Sequence, residues 1–163
     1  MTIENTNVDV EYSDLIENQS TLKGITELWL IYGIALVRGV PIREGQMLEV
    51  CKRLAYVRET GFGKTFNLKQ NLDPKAHLAY TGIALSPHTD LAYRERSPGV
   101  QMLHCLHSSD PSIVGQDKAG GQSFFIDGYV AAEWLRDNHP DHFILLCSTP
   151  VPFSLFDAER SRW

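Results

Sequence analysis

Apolar residues recur every three to four positions through the first third of the chain. Leu22, Ile25, Leu28, Trp29 and Tyr32 fall on one face of a predicted helix, which Ser20 can cap and Gly33 can stop. Residues 34–40, IALVRGV, then read as a buried strand that Pro41 ends. A second amphipathic helix follows, with Met47, Val50, Cys51, Leu54 and Val57 on one face. Gly61 and Gly63 mark a turn, and residues 64–74 alternate weakly into an Asp-Pro break.

The pattern becomes strand-like from residue 78 to 106, punctuated by Pro87 and by Pro98-Gly99. Val100, Met102 and His104 would face one side there, and Gln101, Leu103 and Cys105 the other. Residues 107–119 read as a polar loop, and GQSFFID at 121–127 as another short strand. Asp127 can cap a helix through Tyr129, Val130, Trp134 and Leu135. Pro140 starts a last short helix with Phe143, Leu146 and Cys147 inward. Residues 1–19 are polar and acidic and read as a lead-in, which leaves 20–163 as the domain. This order of elements is neither regular βαβ nor a bundle.

Composition narrows the classes. With 163 residues, 43% hydrophobic and 21% charged, the chain suits one globular domain with a real core. A net charge of −5 and no long basic run argue against a nucleic-acid partner. No apolar run approaches the roughly eighteen residues of a membrane span, and no charged-then-apolar leader follows Met1. Cys51, Cys105 and Cys147 are widely spaced and form no CxxC, so a zinc knuckle or disulfide framework is not expected and a reducing cytoplasm is.

The chemistry concentrates in His88-Thr89-Asp90. Residues i and i+2 of an extended segment point to one side, so an imidazole and a carboxylate would converge. That is two-thirds of the two-His-one-carboxylate face that holds non-haem Fe(II). The spacing alone is weak evidence, because the chain contains a second copy, His139-Pro140-Asp141. There the motif lies between two predicted helices with a proline in its middle, and it is set aside. A strand-end hydrogen-bonded pair is the competing reading of His88 and Asp90.

Context decides between them. Leu78-Ala79-Tyr80-Thr81, His88-Thr89-Asp90, the run from Pro98 to Leu106 (PGVQMLHCL), Gly120-Gly121-Gln122-Ser123 and Asp127-Gly128 occur in that order, preceded by YGIALVRGVP at 32–41. This set resembles the γ-butyrobetaine hydroxylase and trimethyllysine hydroxylase group of the taurine-dioxygenase-like, Fe(II)- and 2-oxoglutarate-dependent oxygenases, from about Val8 onward. The resemblance implies a mainly β fold with flanking helices, a double-stranded β-helix or jelly-roll. It implies that His88 and Asp90 are the first two iron ligands, and that Ser123 lies at a hydroxyl position associated with 2-oxoglutarate. An ordinary strand hydroxyl is the alternative for Ser123. Phe62, Phe66 and Tyr80 fall where the butyrobetaine enzymes set rings around a trimethylammonium, which ring faces attract by about 0.5–2 kcal/mol each. Core packing is the alternative for Phe62 and Phe66. His104 is not a ligand in the group and reads as a strand histidine with a satisfied hydrogen bond.

The expected reaction is hydroxylation of γ-butyrobetaine to L-carnitine, with O₂ and 2-oxoglutarate as co-substrates. The resemblance leaves room for ascorbate in support and for a homodimer of the intact enzyme. Trimethyllysine or another quaternary amine is the alternative substrate, and a non-catalytic remnant the alternative class. The group's distal iron histidine and its 2-oxoglutarate-binding arginine would align beyond Trp163. The chain is therefore expected to be the amino-terminal portion of the catalytic domain, an incomplete jelly-roll that is inactive alone.

Overall fold

The computed structural model describes residues 8–69, 84–107, 112 and 121–154. They divide between two compact units, one drawn from Met1–Lys69 and Gln101–Gln122, the other from Gln70–Val100 and Ser123–Trp163.

In the first unit, β1 (Asp9–Glu11) leads into α1 (Tyr12–Glu17) and α2 (Gln19–Tyr32), and β2 (Leu36–Arg38) returns beside β1. The two strands pair in parallel, with Val10 opposite Val37. A parallel pair cannot be closed by a tight turn and needs a crossover, which α1 and α2 supply. Then α3 (Gln46–Leu54) packs on α1. Leu15, Ile25 and Val50, one from each helix, form the buried centre. Val10, Leu22, Trp29, Val37 and Met102 pack around it. Burying each aliphatic side chain contributes about 1.5–3 kcal/mol. Polar ties complete the unit: Gln46, itself buried, donates to the Tyr12 hydroxyl at 2.6 Å, and Arg53 donates to the Leu15 carbonyl at 3.2 Å.

The helix periodicities hold, with changes at the ends. Gly33 closes α2 in the left-handed region at φ 71, its N–H on the Trp29 carbonyl at 3.0 Å. Ser20 lies inside α2 rather than capping it; Asn18 takes the cap position without a side-chain hydrogen bond. Val57 lies beyond the end of α3. The strand expected over 34–40 shrinks to three residues, of which only Val37 is turned inward. The lead-in is more structured than its polarity suggested. Its described residues hold β1, α1 and the start of α2, and Leu15 is fully buried among acidic neighbours.

In the second unit, α4 (Gly128–Asn138) and α5 (Pro140–Ser148) pack on each other. Asp127 caps α4 as its position predicts, accepting from the N–H groups of Tyr129 at 2.9 Å and Val130 at 3.2 Å. Pro140 opens α5, where the missing N–H costs nothing. His139 serves both helices: its N–H reaches the Leu135 carbonyl at 2.8 Å, and its carbonyl accepts from Phe143 at 3.0 Å. Neither helix has a buried residue. Leu146 and Cys147, expected inward, are exposed, and only Phe143 of that set is partly covered. A stripe of apolar residues becomes a core only against a facing surface.

The mainly β expectation is not what the described residues display. They hold one two-stranded sheet and five helices. Residues 100–105 and 121–127, expected as strands, are neither helical nor paired in a ladder among the described residues, and Gly121 takes a positive φ of 77. No described helix is long and apolar enough to cross a membrane.

Candidate functional site

His88 and Asp90 do converge, though on a turn rather than a strand. The imidazole Nε2 lies 3.3 Å from Asp90 Oδ1, with both side chains about half exposed. Residues 90–93 form the turn, in which the Arg94 N–H meets the Leu91 carbonyl at 3.0 Å. Leu91 takes φ 59, the one positive φ outside glycine among the described residues. A side chain with a Cβ is rarely held there, and such strain gathers at functional sites.

The second imidazole nitrogen fixes the chemistry of the first. His88 Nδ1 is 2.7 Å from the Ser86 carbonyl, which can only accept, so Nδ1 carries a proton. In the neutral ring Nε2 then holds the lone pair, and it faces a carboxylate oxygen. Two acceptors at 3.3 Å can share a cation between them. A proton on Nε2 makes an ion pair; a metal ion makes both groups ligands. Donors about 2.0–2.2 Å from one metal and near a right angle apart lie about 3 Å from each other. The pair fits two adjacent positions on such an ion, and the Ser86 carbonyl holds the ring as an outer-sphere partner does. Among the described residues no group of three or more His, Cys, Asp or Glu side chains gathers to hold a metal.

The other predicted residues are placed as follows. Ser123 is exposed on the non-helical stretch before α4, in the same unit as His88. His88 bonds to Ser86 and pairs with Asp90 rather than with Ser123. Phe62 and Phe66 belong to the first unit, their ring centroids 5.6 Å apart at 40°. Thr60 and Gly63 exchange backbone hydrogen bonds of 3.1 and 2.9 Å, closing the expected turn beneath them. Phe66 is 48% exposed, so it is not a core ring, while Phe62 is partly covered. Tyr80 lies outside the described residues.

Two side chains depart from expectation. His104 Nε2 is buried with no hydrogen-bond partner among the described residues, where a satisfied strand histidine was expected. Arg94, four residues beyond Asp90, has a buried Nε without a partner among the described residues. Nothing in the HxD spacing itself points to Arg94. The only available signal was a fixed cation so close to two metal-ligand candidates.

Residues 2–162 match the taurine catabolism dioxygenase TauD, TfdA family, and the chain belongs to it. It is 40% identical to the gamma-butyrobetaine dioxygenase of Pseudomonas sp. (strain AK-1) over 77% of its own length and 31% of that protein. It is 30% identical to the mitochondrial trimethyllysine dioxygenase of Bos taurus over 87% of its length, and 33% identical to the human gamma-butyrobetaine dioxygenase over 83%. The chain spans about a third of the length of these curated relatives.

Proposed function

We propose that this chain carries part of the iron site of an Fe(II)- and 2-oxoglutarate-dependent dioxygenase that hydroxylates a trimethylammonium substrate, γ-butyrobetaine first. The observation that carries the reading is the His88–Asp90 pair, with Nδ1 tied to Ser86 and Nε2 facing the carboxylate. The 40% identity to a gamma-butyrobetaine dioxygenase supports the choice of substrate. The likeness to trimethyllysine dioxygenases favours trimethyllysine as the second choice.

Bound iron with 2-oxoglutarate would supply the power to oxidise an unactivated C–H bond. The chain's own residues would do the rest. His88 and Asp90 donate to the metal. The Ser86 carbonyl keeps the imidazole in the tautomer that offers Nε2. Ser123 offers a hydroxyl to 2-oxoglutarate on the strength of the family correspondence. Phe62, Phe66 and Tyr80 offer ring faces to the trimethylammonium, and the half-open Phe62–Phe66 pair supports that role for two of them. The same reading includes a cytoplasmic setting, O₂ as the second small molecule and a homodimer.

The test is succinate release by the whole protein, with Fe(II), 2-oxoglutarate and either γ-butyrobetaine or trimethyllysine. Release is expected to be greater with γ-butyrobetaine, to require Fe(II), and to vanish in His88→Ala and Asp90→Ala. Release unaffected by either substitution would remove the pair from the site. No release with either amine would favour the non-catalytic reading.

A further inference from the structure

The reaction as described so far gives Arg94 no role, yet one of its nitrogens is buried without an acceptor among the described residues. Its guanidinium is charged at every accessible pH and can only donate. Its Nε is shut off from solvent and meets no acceptor among the described residues. A buried donor on a fixed charge without a partner is strongly unfavourable. Acidic residues stand close by in sequence, Asp90 and Glu95, but neither supplies that acceptor.

The backbone places this cation with care. The bond from Arg94 N–H to Leu91 O folds the chain straight back after Asp90, so Arg94 stands one turn from the His88–Asp90 pair. That turn holds Leu91 at φ 59, a conformation a leucine avoids elsewhere. A strained turn and, one turn from two metal-ligand candidates, a cation with a buried nitrogen lacking an acceptor among the described residues fit a site that is completed by an anion from outside.

We propose that Arg94 is a carboxylate-binding guanidinium belonging to the His88–Asp90 site. The planar fork of an arginine matches the two oxygens of a carboxylate, and a carboxylate would give Nε its missing acceptor. The choice of carboxylate over other oxyanions rests on the proposed function. In that reaction both 2-oxoglutarate and a betaine substrate carry one, and the experiment separates the two sources.

Binding of 2-oxoglutarate, γ-butyrobetaine and choline to the whole protein would be followed by thermal shift and calorimetry, without turnover. Choline carries the quaternary ammonium but no carboxylate. Arg94→Gln is expected to weaken one of the two carboxylates by about tenfold to a hundredfold, the worth of a charge-assisted hydrogen bond, and to leave choline unchanged. A loss confined to γ-butyrobetaine assigns Arg94 to the substrate. A loss confined to 2-oxoglutarate assigns it to the co-substrate. Arg94→Lys keeps the charge without the fork and is expected to fall between wild type and Arg94→Gln; it also serves if Arg94→Gln does not fold. Wild-type affinity for both carboxylates in Arg94→Gln, or in Arg94→Lys where that is the variant that folds, overturns the proposal. So does a wild type that binds neither carboxylate. A wild type that binds a carboxylate through Arg94 but releases no succinate keeps the proposal and sinks the oxygenase reading.

Discussion

The core of the first unit and the helical pair of the second obey the same local rules with opposite outcomes. In the first, α2 lacks a capping side chain and α3 begins at a bare glycine, yet Leu15, Ile25 and Val50 are almost wholly buried. In the second, Asp127 caps α4 with two hydrogen bonds and Pro140 opens α5 correctly, yet no residue of either helix is buried. Helix ends are fixed by a few neighbouring residues, whereas burial is fixed by what lies opposite. The first unit is therefore held by its interior and the second by its ends.

The sharpest test of that contrast is a matched pair of truncations. Leu15→Ala is expected to cost about 2–5 kcal/mol, the range for emptying a tight aliphatic site. Leu146→Ala, on α5 and 65% exposed, should stay within about 0.5 kcal/mol. Urea unfolding of the whole protein would measure both. Equal losses would mean that Leu146 is covered in solution and that the contrast is wrong.

Removing the cap should act the other way round. Asp127→Ala is expected to cost about 0.5–2 kcal/mol and to shorten α4 from its amino end. Hydrogen exchange at Tyr129 and Val130 would register the loss, while protection in α2 should not change. Unchanged exchange at those two amides would show that the Asp127 carboxylate does not hold the helix end.

The smallest effect concerns thiols. Burial pushes the Cys51 thiol up, against the opposing pull of its backbone hydrogen bond, and its Sγ lies 3.4 Å from Met102 Sδ. Cys147 on α5 and Cys105 are exposed. Iodoacetamide should therefore label Cys147 and Cys105 well before Cys51, as read by mass spectrometry. A thiol raised by folding makes the folded state the better proton binder. Its share of stability is then complete well below about pH 8.5, where an unfolded cysteine is half ionised, and declines as the pH rises through and above that value. Cys51→Ala should flatten the fall in melting temperature above that pH.

The same divide separates what could be read in the sequence from what could not. Gly33, Asp127 and Pro140 act on backbone groups within four residues of themselves, so their roles were legible. Leu15 was not, because its neighbours in YSDLIE are mostly polar and its partners come from α2 and α3. The alternation at 101–105 was legible, with Met102 and His104 partly buried and Gln101, Leu103 and Cys105 exposed, but ladder pairing depends on distant segments that local pattern does not specify. For the site, His88 and Asp90 do stand together at 3.3 Å, but on a turn and not on the alternating strand from which their convergence was expected. Alternation missed the turn, because nothing about leucine announces a left-handed backbone, and with the turn it missed Arg94.

His139 has a mechanical consequence. With one residue ending α4 and starting α5, the two helices are coupled like shafts on a single joint. Its imidazole lies 5.5 Å from the Trp134 ring and is stacked 5.5 Å from His142. An added residue at this point could not be absorbed as slack. It would turn the whole of α5 by about 100° about its axis, the angle between successive residues of a helix, and carry Phe143 out of its partial cover. The hairpin should therefore tolerate changes along its faces far better than any change in the length of its joint.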